Sequence, residues 1–231
     1  MNERDAILSR IRDGLRVTAP RPGIHDHRPL TSARSAAATA RQWLPAAGDS
    51  QNEWLALFAK NCMELKTQFL TAPDTAGAHA LLGQLAACEK WQRLATHDGA
   101  LTTASAAATG IPVMSILEGY DVQELERCDA GITECDALIA QTGSVLLTAR
   151  HGGGRALSVL PPHHVVLAHR DQLLPDLPAA YALLHEKYGP ASWPSMITLI
   201  TGPSRTGDIE RILVLGAHGP KKLTVILVSP L

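Results

Sequence analysis

Aromatic residues are scarce in this chain: four Trp, three Tyr and two Phe among 231 residues. Leu, Ala, Val and Ile must therefore fill whatever core it builds. Excess charge is missing as well. With 21 Lys and Arg against 22 Asp and Glu, the net charge is -1, which removes the electrostatic basis for binding nucleic acid or an anionic membrane surface. No run approaches the roughly 18 to 20 apolar residues of a spanning helix. The start, Met1-Asn2-Glu3-Arg4-Asp5, is charged where a signal peptide would be apolar, so a cytoplasmic location is expected. The four cysteines, Cys62, Cys88, Cys128 and Cys135, form no C-x-x-C pair. That spacing supports neither a zinc ribbon nor a ferredoxin-type cluster and predicts four free thiols. Neither G-x-G-x-x-G nor a Gly-Lys-Ser/Thr phosphate loop occurs, so a nucleotide fingerprint is lacking.

What remains is the composition of an ordinary globular protein, 45% hydrophobic and 19% charged, long enough to bury a sizeable core. Ile7, Leu8, Ile11 and Leu15 recur at helical spacing over 3–16, and a Pro-rich stretch from Ala19 to Pro29 follows. Residues 1–50 thus read as a helix and Pro-rich arm, and 51–231 as one α/β domain. Helical faces are predicted over Asn52–Leu65, Pro73–Cys88, Leu177–Tyr188 and Asp208–Gly216. Strands are predicted at Thr67–Thr71, Arg93–Thr96, Val113–Ile116, Ala137–Ala140, Val145–Thr148, Val165–Ala168, Ile197–Thr201 and Leu223–Val228. Strands alternating with helices imply a largely parallel sheet covered on both faces. The four residues 141–144 leave no room for a crossover helix, so the strands on either side form an antiparallel hairpin added to that sheet.

Four segments carry candidate chemistry. Thr201-Gly202-Pro203-Ser204-Arg205-Thr206-Gly207-Asp208 joins a strand to a predicted helix. Gly202, Ser204, Arg205, Thr206 and Asp208 there are candidates for cradling a phosphate or carboxylate, with simple helix capping as the alternative. The predicted helix would end at Gly216-Ala217-His218-Gly219-Pro220, with Gly219 in a left-handed turn. His218 is a candidate catalytic group there, or else a subunit contact or dipole-complementing cation. The turn Thr142-Gly143-Ser144 can present hydroxyls and backbone N–H groups to an anion, or serve only as a turn. Glu134, beside Cys135 and Asp136, is a candidate acid or base. Arg155, after three glycines at 152–154, could clamp a carboxylate; a flexible hairpin tip is the alternative. His163 and His164 open a strand whose alternation would send one ring inward and one outward.

Gly131-Ile132-Thr133 with Asp136, Ala140-Gln141-Thr142-Gly143-Ser144, Leu160-Pro161-Pro162, the stretch from Thr201 to Glu210 and Gly216-Ala217-His218-Gly219-Pro220 together resemble the LUD-domain family. The likeness runs from about Thr67 to Val228 and lies nearest its lactate-utilisation C group. It implies a Rossmann-like open sheet similar to ribose-5-phosphate isomerase and the CoA transferases. It further implies a non-cluster subunit in oxidation of L-lactate to pyruvate, alongside partner proteins that carry iron–sulfur clusters. In that family an acidic residue often precedes the Thr-Gly turn; here it is Gln141. Competing readings are a stand-alone enzyme, or a sensor, that binds a small phosphorylated or carboxylated ligand at the C-terminal strand ends. Either way this chain is expected to bind no cofactor of its own, and homo-oligomers are possible partners.

Overall fold

The computed structural model describes residues 3–16, 44–117, 119–150, 152–189, 192–206 and 214–229. The chain divides into two units, Met1–Leu44 and Pro45–Leu231. In the first, helix α1 spans Glu3–Arg16, as the periodicity predicts; the Pro-rich stretch lies outside the described residues.

The second unit carries its own logic from the caps inward. Helix α2 (Gln51–Leu65) starts at a capping box in which Ser50 and Glu53 satisfy each other's backbone N–H, and it ends on Lys66 in the left-handed conformation,. Strand β1 (Gln68–Ala72) follows, then α3 (Thr75–Glu89), whose first turn is capped by Asp74. Next come β2 (Leu94–Thr96), α4 (Ala100–Ala108), β3 (Val113–Ser115), α5 (Val122–Glu126) and β4 (Ala130–Thr133). Strands β5 (Ala137–Ile139) and β6 (Ser144–Thr148) form the expected antiparallel hairpin. The chain continues through β7 (His163–His169), β8 (Leu173–Leu174), α6 (Leu177–Tyr188), β9 (Ile197–Ile200), β10 (Arg205–Thr206), β11 (Val214–Leu215) and β12 (Lys222–Val228).

Six strands form one wholly parallel sheet in the order β1-β12-β7-β4-β2-β3. The α/β class with helices over a parallel sheet is therefore as expected. The single sheet is not: β8-β5-β6-β9 make a second, mixed sheet, because β6 pairs with β9 and not with a neighbour in the parallel sheet. One face of the parallel sheet packs Val165, Leu167 and Ile226 against Leu82 of α3 and Leu101 of α4. The other packs Val166, Val225 and Leu227 against Phe58 of α2 and Leu138, Val145 and Leu147 of the second sheet. Helix α6 covers that sheet's far side through Ala180, Leu184 and Tyr188. With both faces covered, β4 to β6 and most of β7 and β12 are buried without alternation,.

Two further expectations change. Val214 and Leu215 belong to a strand that pairs antiparallel with Arg205–Thr206, so no helix runs up to Gly216; residues 207–213, Asp208 among them, lie outside those described. The left-handed glycine is Gly216, at φ 76, and not Gly219.

Candidate functional site

The parallel strands β7 and β12 begin side by side, with His164 opposite Leu223. Beside them lies a cavity of about 220 Å³, walled by Thr198 and Ile200 of β9, the turn Thr201–Ser204, and the turn His218–Pro220. This is the amino-terminal edge of the parallel sheet. The loop does follow the carboxyl end of a strand, as its sequence position predicts, but that strand, β9, belongs to the mixed sheet and not to the parallel one.

Two loops that the sequence placed at opposite ends of a helix meet here instead. Ser204 N–H donates to the Pro220 carbonyl at 2.9 Å, and Gly216 N–H donates to the Ser204 carbonyl at 3.0 Å. Ser204 and His218 thus line one cavity. The Thr142–Ser144 turn joins them from the second sheet: the Ser144 hydroxyl lies 2.7 Å from Thr142 Oγ1 and 2.7 Å from Thr201 Oγ1. Gly143, at φ 65, sits on Asn61 of α2, whose amide donates to the Ala140 and Gln141 carbonyls.

His164, which the sequence offers only as part of the opening of a strand, also lines the cavity. It is 1% exposed, its Nε2 lies 2.9 Å from Thr133 Oγ1, and its Nδ1 has no partner. Burial, and then the neighbouring His163, hold its pKa down to about 3, so the ring is neutral at physiological pH. The alternation argument misplaced this pair: neither ring faces solvent, because both faces of the sheet are covered. A neutral imidazole with one free nitrogen beside hydroxyl groups suits a small polar ligand. Among the described residues no lysine or arginine lines this cavity.

The remaining candidates lie elsewhere. Arg205 donates through Nη2 to the Leu65 carbonyl at 2.6 Å, closing the end of α2, and faces a second cleft. Thr206 pairs with Val214 in the β10–β11 hairpin. Arg155 donates to the Ser195 carbonyl; of the glycines before it, Gly152 and Gly153 fold back on Leu147 and His97, and Gly154 faces open space. Glu134 stands at the carboxyl end of β4, where it accepts from Leu101 N–H at 2.8 Å and Thr102 N–H at 3.3 Å. It supplies the cap that Gly99 cannot give α4, and His97 Nε2 meets its backbone N–H at 3.1 Å. Glu134 borders neither the cavity beside His164 nor the cleft that Arg205 faces.

Asp136 is fully buried at its side chain. Lys187 Nζ and Tyr188 OH donate to its Oδ1 at 2.8 and 2.7 Å, and Thr148 N–H donates to Oδ2. Burial alone would raise its pKa; those three hydrogen bonds outweigh burial and hold the carboxyl below its ordinary value. The thiols are free, and burial pushes those of Cys62 (to about 12), Cys128 and Cys135 up. Among the described residues no three His, Cys, Asp or Glu side chains converge as metal ligands, and no helix is long and apolar enough to cross a membrane.

A wholly parallel six-stranded sheet with helices on one face and a helix and second sheet on the other defines a Rossmann-like α/β protein. Within that class the chain belongs to the LUD domain family, whose model matches residues 49–228. It is 30% identical over 200 residues to lactate utilization protein C of Geobacillus kaustophilus, covering 81% of this chain and 83% of that protein. To the protein of the same name from Bacillus velezensis it is 29% identical over 201 residues, 81% of this chain and 83% of that one. Its fold is similar to a crystal structure of a DUF162 family protein from Deinococcus radiodurans, with a TM-score of 0.61 at 21% identity over 78% of this chain and 99% of the other.

Proposed function

We propose that this chain takes part in lactate utilisation as the non-cluster subunit of a cytoplasmic complex that oxidises L-lactate to pyruvate. What carries the reading is kinship with lactate utilization protein C across four-fifths of both chains. Oxidising a 2-hydroxy acid to a 2-oxo acid releases two electrons and two protons, and the electrons need an acceptor. The scattered, mostly buried cysteines support placing that acceptor in iron–sulfur partner proteins. This chain then supplies a binding surface, with a cavity of a size for a three-carbon acid: Ser204 offers a hydroxyl donor, Thr201 an acceptor oxygen whose own proton goes to Ser144, His218 stands on an exposed turn of the wall, and His164 adds a neutral ring,.

The test is a pull-down of the full chain from its native cell extract, with L-lactate-dependent dye reduction assayed in the eluate. Co-eluting iron–sulfur proteins with that activity are expected. A chain recovered alone, without activity, sinks the complex. The unpartnered Nδ1 of His164 favours a second reading in that event, a stand-alone enzyme or sensor for a small anion at the same cavity.

A further inference from the structure

We propose a second ligand site at the amino-terminal edge of the parallel sheet, next to the cavity beside His164 and parted from it by Pro203 and Leu223: the cleft around His163 binds a small phosphomonoester that carries a hydroxyl group. The cleft encloses about 390 Å³, and Lys66, Glu89, His163, Arg205, Lys221 and Lys222 line it. Lys222 is spent on Glu89, at 2.6 and 2.7 Å from its two oxygens. Lys66 and Lys221 have no carboxylate partner among the described residues, and Arg205 uses Nη2 on the Leu65 carbonyl, keeping its other donors. Three exposed cations thus line one cleft, where their like charges repel one another through solvent,. A phosphomonoester, with a charge of about -1.5 to -2 at neutral pH, offsets that repulsion where a single carboxylate leaves most of it.

The lysines are placed by backbone geometry. Lys66 is the left-handed cap of α2. Lys221 runs its stem over Gly216, where a Cβ would come within 2.1 Å of Lys221 Cγ, so only glycine admits it.

His163 sets the rest of the ligand. Its ring is 3% exposed and stands edge-on to Trp91. The Thr224 hydroxyl donates its one proton to Gln68 Oε1 at 3.0 Å. Thr224 Oγ1 must therefore accept from His163 Nε2–H, 2.8 Å away, which leaves Nδ1 as a bare acceptor without a partner,. A buried acceptor of this kind calls for a donor, and a hydroxyl near the phosphate supplies one.

The experiment is calorimetric titration of the full chain with sn-glycerol 3-phosphate and with methyl phosphate, the second lacking the hydroxyl. Both should bind, glycerol phosphate more tightly by about three- to tenfold. The double variant Lys66→Gln/Lys221→Gln should melt like the parent and lose at least about tenfold in affinity for both. His163→Phe, which keeps a ring against Trp91, should erase the preference between the two. No binding at millimolar concentration, or unchanged binding in the lysine variant, overturns the site. Equal binding of the two phosphates by the parent overturns the role of His163, and the lysine variant decides the site even where His163→Phe fails to fold.

Discussion

His163 and His164, adjacent on β7, turn their rings to opposite faces of the parallel sheet, and each borders a different cavity. Each offers Nε2 to a threonine hydroxyl, Thr224 at 2.8 Å and Thr133 at 2.9 Å, and each leaves Nδ1 without a partner. One dipeptide thus supplies a neutral ring to both clefts at the amino-terminal edge of the sheet.

That arrangement has a pH signature. Burial holds His163 down to about 4 and His164 to about 3, whereas an unfolded histidine titrates near 6.5. Below about pH 6.5 the unfolded chain binds protons that the folded chain refuses, so stability falls as pH falls. The slope reaches up to about 2.7 kcal/mol per pH unit for the pair, until the folded rings themselves take protons near pH 3 to 4. Urea melts at pH 7.5, 6.5 and 5.5 should show it, and His164→Asn should roughly halve the slope. A flat profile down to pH 5 would mean that the rings are not buried as described.

These histidines also show where reading the sequence stops. Strong apolar faces made α2 and α6 legible, and the four-residue gap 141–144 made the β5–β6 hairpin legible. Helix α4 escaped because Ala-Leu-Thr-Thr-Ala-Ser-Ala-Ala-Ala has little contrast between faces. Its cap, Glu134, lies 33 residues from Leu101, beyond any local pattern. The pattern Ile209, Ile212, Leu213 and Leu215 looked helical, yet Leu215 pairs with Arg205. Of the residues that wall the cavity, Gly202, Ser204 and His218 are legible from their loops. His164 is not, because strand alternation says that two neighbours face opposite ways and is silent on whether both faces are covered.

Asp136 anchors α6 to the second sheet through Lys187, Tyr188 and Thr148. Asp136→Ala leaves Tyr188 OH and Thr148 N–H with a lost acceptor, and should cost about 2–4 kcal/mol. Lys187 is a third exposed, so Lys187→Met should cost less, on the order of 1 kcal/mol. Because the folded carboxyl is held below its ordinary value, its contribution is present above about pH 4 and is lost as pH falls through the folded-state value. Equal costs for the two variants would refute a buried carboxylate at the centre of this network.

Gly143 joins the Thr142–Ser144 turn to α2. Its φ is 65°, and an added Cβ would meet Asn61 Cβ at 2.8 Å and Leu65 Cδ1 at 3.0 Å. Gly143→Ala should therefore lose about 2 kcal/mol or more, combining left-handed strain with displacement of α2. Thermal melting measures it, and a loss below about 0.5 kcal/mol would show that the turn does not bear on the helix.

Ser144 is 2% exposed and divides its hydroxyl between Thr142 and Thr201, so it acts on the cavity through Thr201. Ser144→Ala should cost about 1–2 kcal/mol, because two partly buried hydroxyls lose a partner. With Thr201 released, affinity for L-lactate should also fall, by about three- to tenfold, without change in the affinity for glycerol phosphate at the other cleft. His218 sits on an exposed turn, so His218→Gln should melt within about 0.5 kcal/mol of the parent while weakening L-lactate and sparing glycerol phosphate. Calorimetric titration of both ligands against both variants separates the two clefts. If Ser144→Ala and His218→Gln leave L-lactate affinity unchanged, the hydroxy acid does not occupy this cavity, even where pull-downs still place the chain in a lactate-oxidising complex. If instead both ligands weaken together in His218→Gln, the two clefts behave as one site and the separation drawn at His163 and His164 fails.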